Sequence, residues 1–133
     1  MKKWHEERNA PEPGTQLCTL AEIPEGEVKE FHFGENIKTR FRMFIYNDGG
    51  TPRGYMNMCP HFDVPLNVDP GEMFTTDRSQ FMCMMHYARF NVNDGHCTDG
   101  PCEGMALERI PLNVIEGQVV ISDERQFEGG QLC

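Results

Sequence analysis

The sequence predicts an all-β protein of antiparallel sheets. Its apolar runs are short, and turn residues interrupt them at Pro24-Glu25-Gly26, Asn47-Asp48-Gly49-Gly50, Asn93-Asp94-Gly95 and Glu116-Gly117. Within the runs apolar residues alternate with polar ones, as Phe41, Met43 and Ile45 do, and later Val119 and Ile121. No apolar stripe at helical spacing lasts beyond about three turns.

Residues 1–14 are polar and contain Pro11, Pro13 and Gly14, a composition that buries too little apolar surface to offset ordering, so they are expected to form a flexible arm. From Thr15 the expected strands are 17–21, 28–33, 40–46, 54–58, 80–82, 89–92, 107–114 and 118–122. The segment from Val114 to Ile121 reads as a hairpin with its loop at Glu116-Gly117. Residues 123–133 return to a polar, glycine-rich composition and are expected to be a flexible tail.

The chain has 133 residues, of which 38% are hydrophobic and 25% charged, so a single domain with one cored body is the expectation. No run approaches the length of a membrane span. The formal charge of −9 opposes binding to nucleic acid or to an anionic membrane, and favours a partner with a basic patch. Lys2 and Lys3 are not followed by an apolar core of a signal peptide, and a cytoplasmic protein is expected. Structural disulfides are rare in that compartment. Six cysteines therefore point to metal ligation or redox chemistry.

Two compact segments carry that chemistry: Cys59-Pro60-His61 and Cys83-Met84-Met85-His86, each pairing a thiolate with an imidazole on a short loop between expected strands. Spacings of one and two residues let both side chains of a loop turn toward one centre. Two sulfurs and two nitrogens suit either a tetrahedral zinc ion or a mixed-ligand 2Fe-2S cluster, and the count alone does not choose.

The flanks add a resemblance. Cys59-Pro60-His61-Phe62-Asp63-Val64-Pro65-Leu66 and Cys83-Met84-Met85-His86-Tyr87-Ala88-Arg89-Phe90 resemble the two cluster loops of Rieske iron–sulfur proteins. Gly100-Pro101-Cys102 is similar to the glycine-proline loop that covers the cluster in that family, and the final strands resemble its closing strands. The resemblance spans 15–122 and implies a Rieske-type antiparallel β-sandwich or barrel, with a cluster-binding subdomain at about 57–104 inserted at one end. It further implies a 2Fe-2S cluster, with Cys59 and Cys83 on the buried iron and His61 and His86 on the outer one, where the imidazole edges form the electron exit. A flavin-containing NAD(P)H-dependent reductase and a terminal oxygenase, one acting on aromatic rings, are the partners implied. No nucleic acid or membrane is expected as a partner, and the chain is expected to be a monomer or weak oligomer.

Three departures from the family pattern matter. The connection between His61 and Cys83 is longer than in the compact oxygenase ferredoxins, with 67–79 as the enlarged part. Tyr87 stands where glycine is usual, so the backbone there either avoids positive φ or tolerates strain. High-potential members resemble one another in a disulfide between the cluster loops and in a serine and a tyrosine after the second ligand pair. This sequence lacks the second cysteine in each loop and has Ala88 and Phe90 at the donor positions. Without those hydroxyls the expected potential lies near the low end of the Rieske range, about −150 mV.

The chain is not itself expected to be the oxygenase. That reaction needs a second iron on two histidines and a carboxylate, and only His96 follows His86. The alternatives are a small Rieske subunit of a reductase such as nitrite reductase, a zinc-bound structural or interaction module, and a redox or pH sensor. Cys97 and Cys102 are expected as thiols rather than a disulfide, and Cys18, Cys133, His5, His32 and His96 are given no ligand role. Phe62, Met84, Met85 and Tyr87 are candidates for an apolar docking rim. Asp63, Asp69, Glu72, Asp94, Asp99 and Glu103 are candidates for steering a basic partner.

Overall fold

A computed structural model describes residues 4–36, 39–60, 65–67, 72–84, 87–100 and 104–122. Its strands are β1 (Gln16–Thr19), β2 (Val28–Phe33), β3 (Phe41–Asp48), β4 (Thr51–Met56), β5 (Gln80–Met82), β6 (Arg89–Asn91), β7 (Cys97–Asp99), β8 (Arg109–Ile110), β9 (Leu112–Ile115) and β10 (Gln118–Ile121). They pair in three antiparallel sheets, ordered β1-β10-β9, β2-β3-β4-β8 and β5-β6-β7. The third sheet lies in the chain between β4 and β8, which are themselves paired, so it is an insertion into the second.

Local sequence explains the hairpins. Asp48 faces Thr51 across the β3–β4 turn, and the two residues between them, Gly49 and Gly50, take φ of 59° and 103°. Left-handed backbone at both central positions is the turn whose twist matches the flanking strands. Asn47 locks it, accepting the Gly50 N–H at 2.7 Å while its side-chain amide donates to the Ile23 carbonyl at 2.7 Å. The β9–β10 hairpin turns at Glu116-Gly117 as expected, again with both residues at positive φ.

Alternation along β3 was expected to leave one face polar, but both faces are buried. Met43 and Ile45 enter a base core with Trp4, Cys18, Ile23, Met56, Ile110, Val119 and Ile121, while Phe44 and Tyr46 enter a second core with Tyr55, Phe81 and Phe90. The second core is aromatic: Phe81 meets Phe44, Tyr46 and Tyr55 edge-on with centroids 5.0, 5.5 and 5.7 Å apart. Tyr55 donates its hydroxyl to the Val92 carbonyl at 2.9 Å, and burial pushes its pKa up to about 12.

Three other expectations change. Residues 107–114 form two strands, because Pro111 has no N–H for a ladder and the chain switches sheets there: β8 pairs with β4, and β9 with β10. β7 was not expected; three residues of mixed polarity carry no alternation signal. The arm at 1–14 is not loose where it is described. Trp4 opens a short 3-10 turn, is completely buried, and packs edge-on against Phe41 with centroids 6.4 Å apart. The Gly14 N–H donates to the Ile121 carbonyl at 2.7 Å, joining the segment to β10. One indole buries enough apolar area to hold a segment that is otherwise polar. The expected tail at 123–133 lies outside the described residues. Among the described residues no helix is long and apolar enough to cross a membrane.

Trp4→Ala is expected to lower unfolding stability by about 3–5 kcal/mol, the usual cost of deleting a large buried aromatic. Urea unfolding checks this, and a midpoint equal to wild type would show that the segment is not part of the cooperative core.

Candidate metal centre

Two short strands deliver the predicted cysteines. β4 ends at Met56 and the chain reaches Cys59 three residues later; β5 ends at Met82, immediately before Cys83. Both cysteines are completely buried and belong to one core cluster with Leu66, Met73, Phe81, Ala88 and Phe90. Neither is in a disulfide. The predicted partners His61 and His86 lie outside the described residues, as do Phe62, Asp63, Asp69, Met85, Pro101, Cys102 and Glu103.

The second loop closes on itself through two backbone bonds. The Cys83 N–H donates to the Ala88 carbonyl at 2.8 Å, and the Tyr87 N–H donates to the Cys83 carbonyl at 2.7 Å. To make that turn, Tyr87 takes φ of 61°, so the strain foreseen for a non-glycine residue is tolerated rather than avoided. Its ring stands 65% exposed, consistent with a place on a rim, whereas Met84 is half-buried.

A polar strut supports the first loop. Asn57 is 1% exposed; its side-chain carbonyl accepts the Leu66 N–H at 2.9 Å, and its amide donates to Asn67 Oδ1 at 2.9 Å. Asn67 in turn donates to Glu30 Oε2 on β2 at 2.9 Å. The Leu66 carbonyl accepts the Met84 N–H at 2.7 Å, so one residue links the strut to the second loop. Sequence reasoning missed this network: an asparagine two residues before a cysteine reads as an ordinary turn residue.

The third loop is also brought in. Gly100 has φ of 98°, and a Cβ there would sit 2.8 Å from the Ala88 Cα, so only glycine lets this backbone lie on the second loop. Cys97 Sγ donates to the Asp99 carbonyl at 3.3 Å, and Cys102, with which a disulfide was weighed, lies outside the described residues. Part of the enlarged connection is a hairpin closing on β5: the Met82 N–H donates to Met73 O at 2.8 Å and the Thr75 N–H to Gln80 O at 2.9 Å. In its turn Asp77 accepts from Ser79 and Thr75, which hold its carboxyl down at about 2. Arg78 caps the Phe74 ring at 4.1 Å and pairs with Glu27 at 2.8 Å, pinning the insertion to the turn before β2.

Glu72, Asp94 and Asp99 are exposed on the insertion, and Arg89 pairs loosely with Asp99 at 3.8 Å. Cys18 sits in the base core, with its thiol pushed up by burial and then by Glu22, and takes no part in the centre. His32 pairs with Glu30 at 3.9 Å on β2, away from both cysteine loops in the chain.

Two buried thiols sit on loops joined by the Met84–Leu66 bond, and the Gly100 backbone lies against Ala88 of the second loop, an arrangement with the chemistry to ligate a metal. The donors described fit the sulfur side of an iron–sulfur cluster: they share a dry aromatic core, and their loops are held by backbone bonds rather than by a disulfide. A profile of the Rieske 2Fe-2S domain matches residues 15–120, and the chain belongs to that family, whose group is a Rieske-type 2Fe-2S cluster. The ferredoxin component of the p-cumate 2,3-dioxygenase system of Pseudomonas putida is 26% identical over 105 residues, covering 79% of this chain and 81% of that protein. The ferredoxin of carbazole 1,9a-dioxygenase from Nocardioides aromaticivorans IC177 superposes with a TM-score of 0.59 at 20% identity, over 81% of this chain and 97% of that one. A complex of reduced oxygenase and oxidized ferredoxin in carbazole 1,9a-dioxygenase contains a chain that superposes with a TM-score of 0.63 at 18% identity, over 84% of this chain and 94% of that one.

Asn57→Ala leaves the buried Leu66 N–H without its acceptor, and the expected loss is about 1–3 kcal/mol. Urea unfolding should show a lower midpoint with unchanged slope; an unchanged midpoint would mean that the strut does not hold the loop.

Proposed function

We propose that this protein is a Rieske-type ferredoxin that carries single electrons from a flavin-containing NAD(P)H-dependent reductase to a terminal oxygenase in the cytoplasm. Cys59 and Cys83 ligate the inner iron, and His61 and His86 the outer one. When bound, the cluster supplies a one-electron reservoir made less negative than an all-cysteine site by its neutral imidazoles. The observation that carries this reading is the burial of Cys59 and Cys83 in one core within a chain matched to the Rieske domain. The similarity to a ferredoxin component of a dioxygenase system supports the role of electron-transfer component rather than catalyst, and the ferredoxin–oxygenase complex supports the oxygenase as acceptor.

This chain's residues do three things for such a carrier. The aromatic core around Phe81 keeps water from the thiolates. The Asn57 strut and the Met84–Leu66 bond hold the two loops together without a cross-link, so the site is not lost under reducing conditions. Ala88 and Phe90, both completely buried, present hydrocarbon where hydroxyl donors raise the potential in high-potential members.

Reduced with dithionite, the purified protein should give a rhombic paramagnetic resonance signal of low average g, with about two irons and two sulfides per chain. A silent spectrum with stoichiometric zinc would overturn the reading. His86→Cys should abolish that spectrum whether or not a cluster remains, and an unchanged spectrum would refute the ligand assignment. Ala88→Ser should raise the midpoint potential. One added hydrogen bond favouring the reduced state by about 1 kcal/mol corresponds to about 40 mV for a one-electron couple. Protein-film voltammetry measures the shift, and a null or downward shift with the cluster intact would refute the role given to this position.

A further inference from the structure

A cleft of about 160 Å³ lies against the base of the first loop, lined by Arg8, Arg40 and Arg42 together with Phe41, Met58 and Pro65 among others. Three arginines meeting in a chain of net charge −9 is the reverse of what its composition leads one to expect. Among the described residues none of the three is in an ion pair. Arg40 Nε is shut off from solvent and has no hydrogen-bond partner, a donor that an anion in the cleft would satisfy. Glu7 is the one acidic residue of the lining, so the cleft keeps a net positive charge. The wall is preorganised, since Asn9 donates to the Thr39 carbonyl at 3.1 Å and holds the Arg8 segment beside β3.

We propose that this cleft is a binding site for a small oxyanion, a carboxylate or phosphate group, seated among Arg8, Arg40 and Arg42. Guanidinium groups recognise both by paired, charge-assisted hydrogen bonds. The volume suits a phosphate or a carboxylate on a single ring, since a cavity of about 150 Å³ admits one benzene. Burial and then the Arg40 charge lower the Arg42 pKa, and burial followed by Arg40 and Arg42 lowers that of His32; Glu30 opposes both without cancelling them. The positive charges thus press on one another in the absence of an anion. Because Asn57 lies in the same lining, an occupied cleft joins the N-terminal segment to the strut under the first loop.

The test is isothermal titration of the full-length, cluster-loaded protein with sodium phosphate and with sodium benzoate, each against sodium chloride at matched ionic strength. Saturable binding of either anion is expected, weakened by about tenfold or more in Arg40→Gln. Arg8→Gln, at an exposed position that does not support the core, should also weaken it. Arg53→Gln should not, because Arg53 pairs with Asp48 outside the cleft. Binding of phosphate alone assigns the site to phosphate groups, and binding of benzoate alone to carboxylates; either supports it. Heats no different from chloride, or binding that survives in both cleft variants, would overturn the proposal. The paramagnetic signal of the same samples reports separately on the cluster, so failure here is distinguishable from failure of the electron-carrier reading.

Discussion

The burial of β3 on both faces is the constraint on which the rest of the structure depends. Because successive side chains of a strand point in opposite directions, Met43 and Ile45 are committed to one core and Phe44 and Tyr46 to the other. A strand used twice in this way cannot slip register by one residue without placing each set in the wrong core. The hairpin turn at Gly49-Gly50 then sets β4 against it, and β4 ends where the first cysteine loop begins. The position of Cys59 is thereby inherited from the packing of a strand that carries none of the expected cluster ligands.

The insertion solves a second problem, that of holding two loops face to face without a disulfide between them. Here the link is a relay of hydrogen bonds from Glu30 through Asn67 and Asn57 to Leu66, and on to Met84. Buried amides of this kind are strong supports only when each is satisfied, and every step of this relay is a bond near 2.9 Å or shorter. The two conformational costs of the site sit beside it. Tyr87 occupies a left-handed backbone that suits glycine, and Gly100 supplies the missing Cβ where the third loop crosses the second.

Charge is divided in the same fashion. Exposed carboxylates stand on the insertion, where Arg78 and Arg89 are paired with Glu27 and Asp99, while three arginines that form no ion pair among the described residues meet in a cleft at the junction of the N-terminal segment, β3 and the first loop.

Alternation and turn chemistry are local, and for that reason the all-β class, both hairpin turns and the cysteine loops were legible in the sequence. Cys59 and Cys83 stood out because thiolates paired with imidazoles at short spacing are rare outside metal sites, whatever fold carries them. What tertiary structure alone decided depends on partners distant in the chain. Trp4 makes an anchored segment of what composition reads as a loose arm, because Phe41, against which its ring packs, lies more than thirty positions away. Asn57 and Asn67 are loop residues until Glu30 and Leu66 are brought to them. Three arginines spread over residues 8 to 42 become one site only when the segment before β1 is laid against β3. Spacing encodes which groups a loop presents together; folding free energy, summed over the whole core, decides which separate segments share a surface.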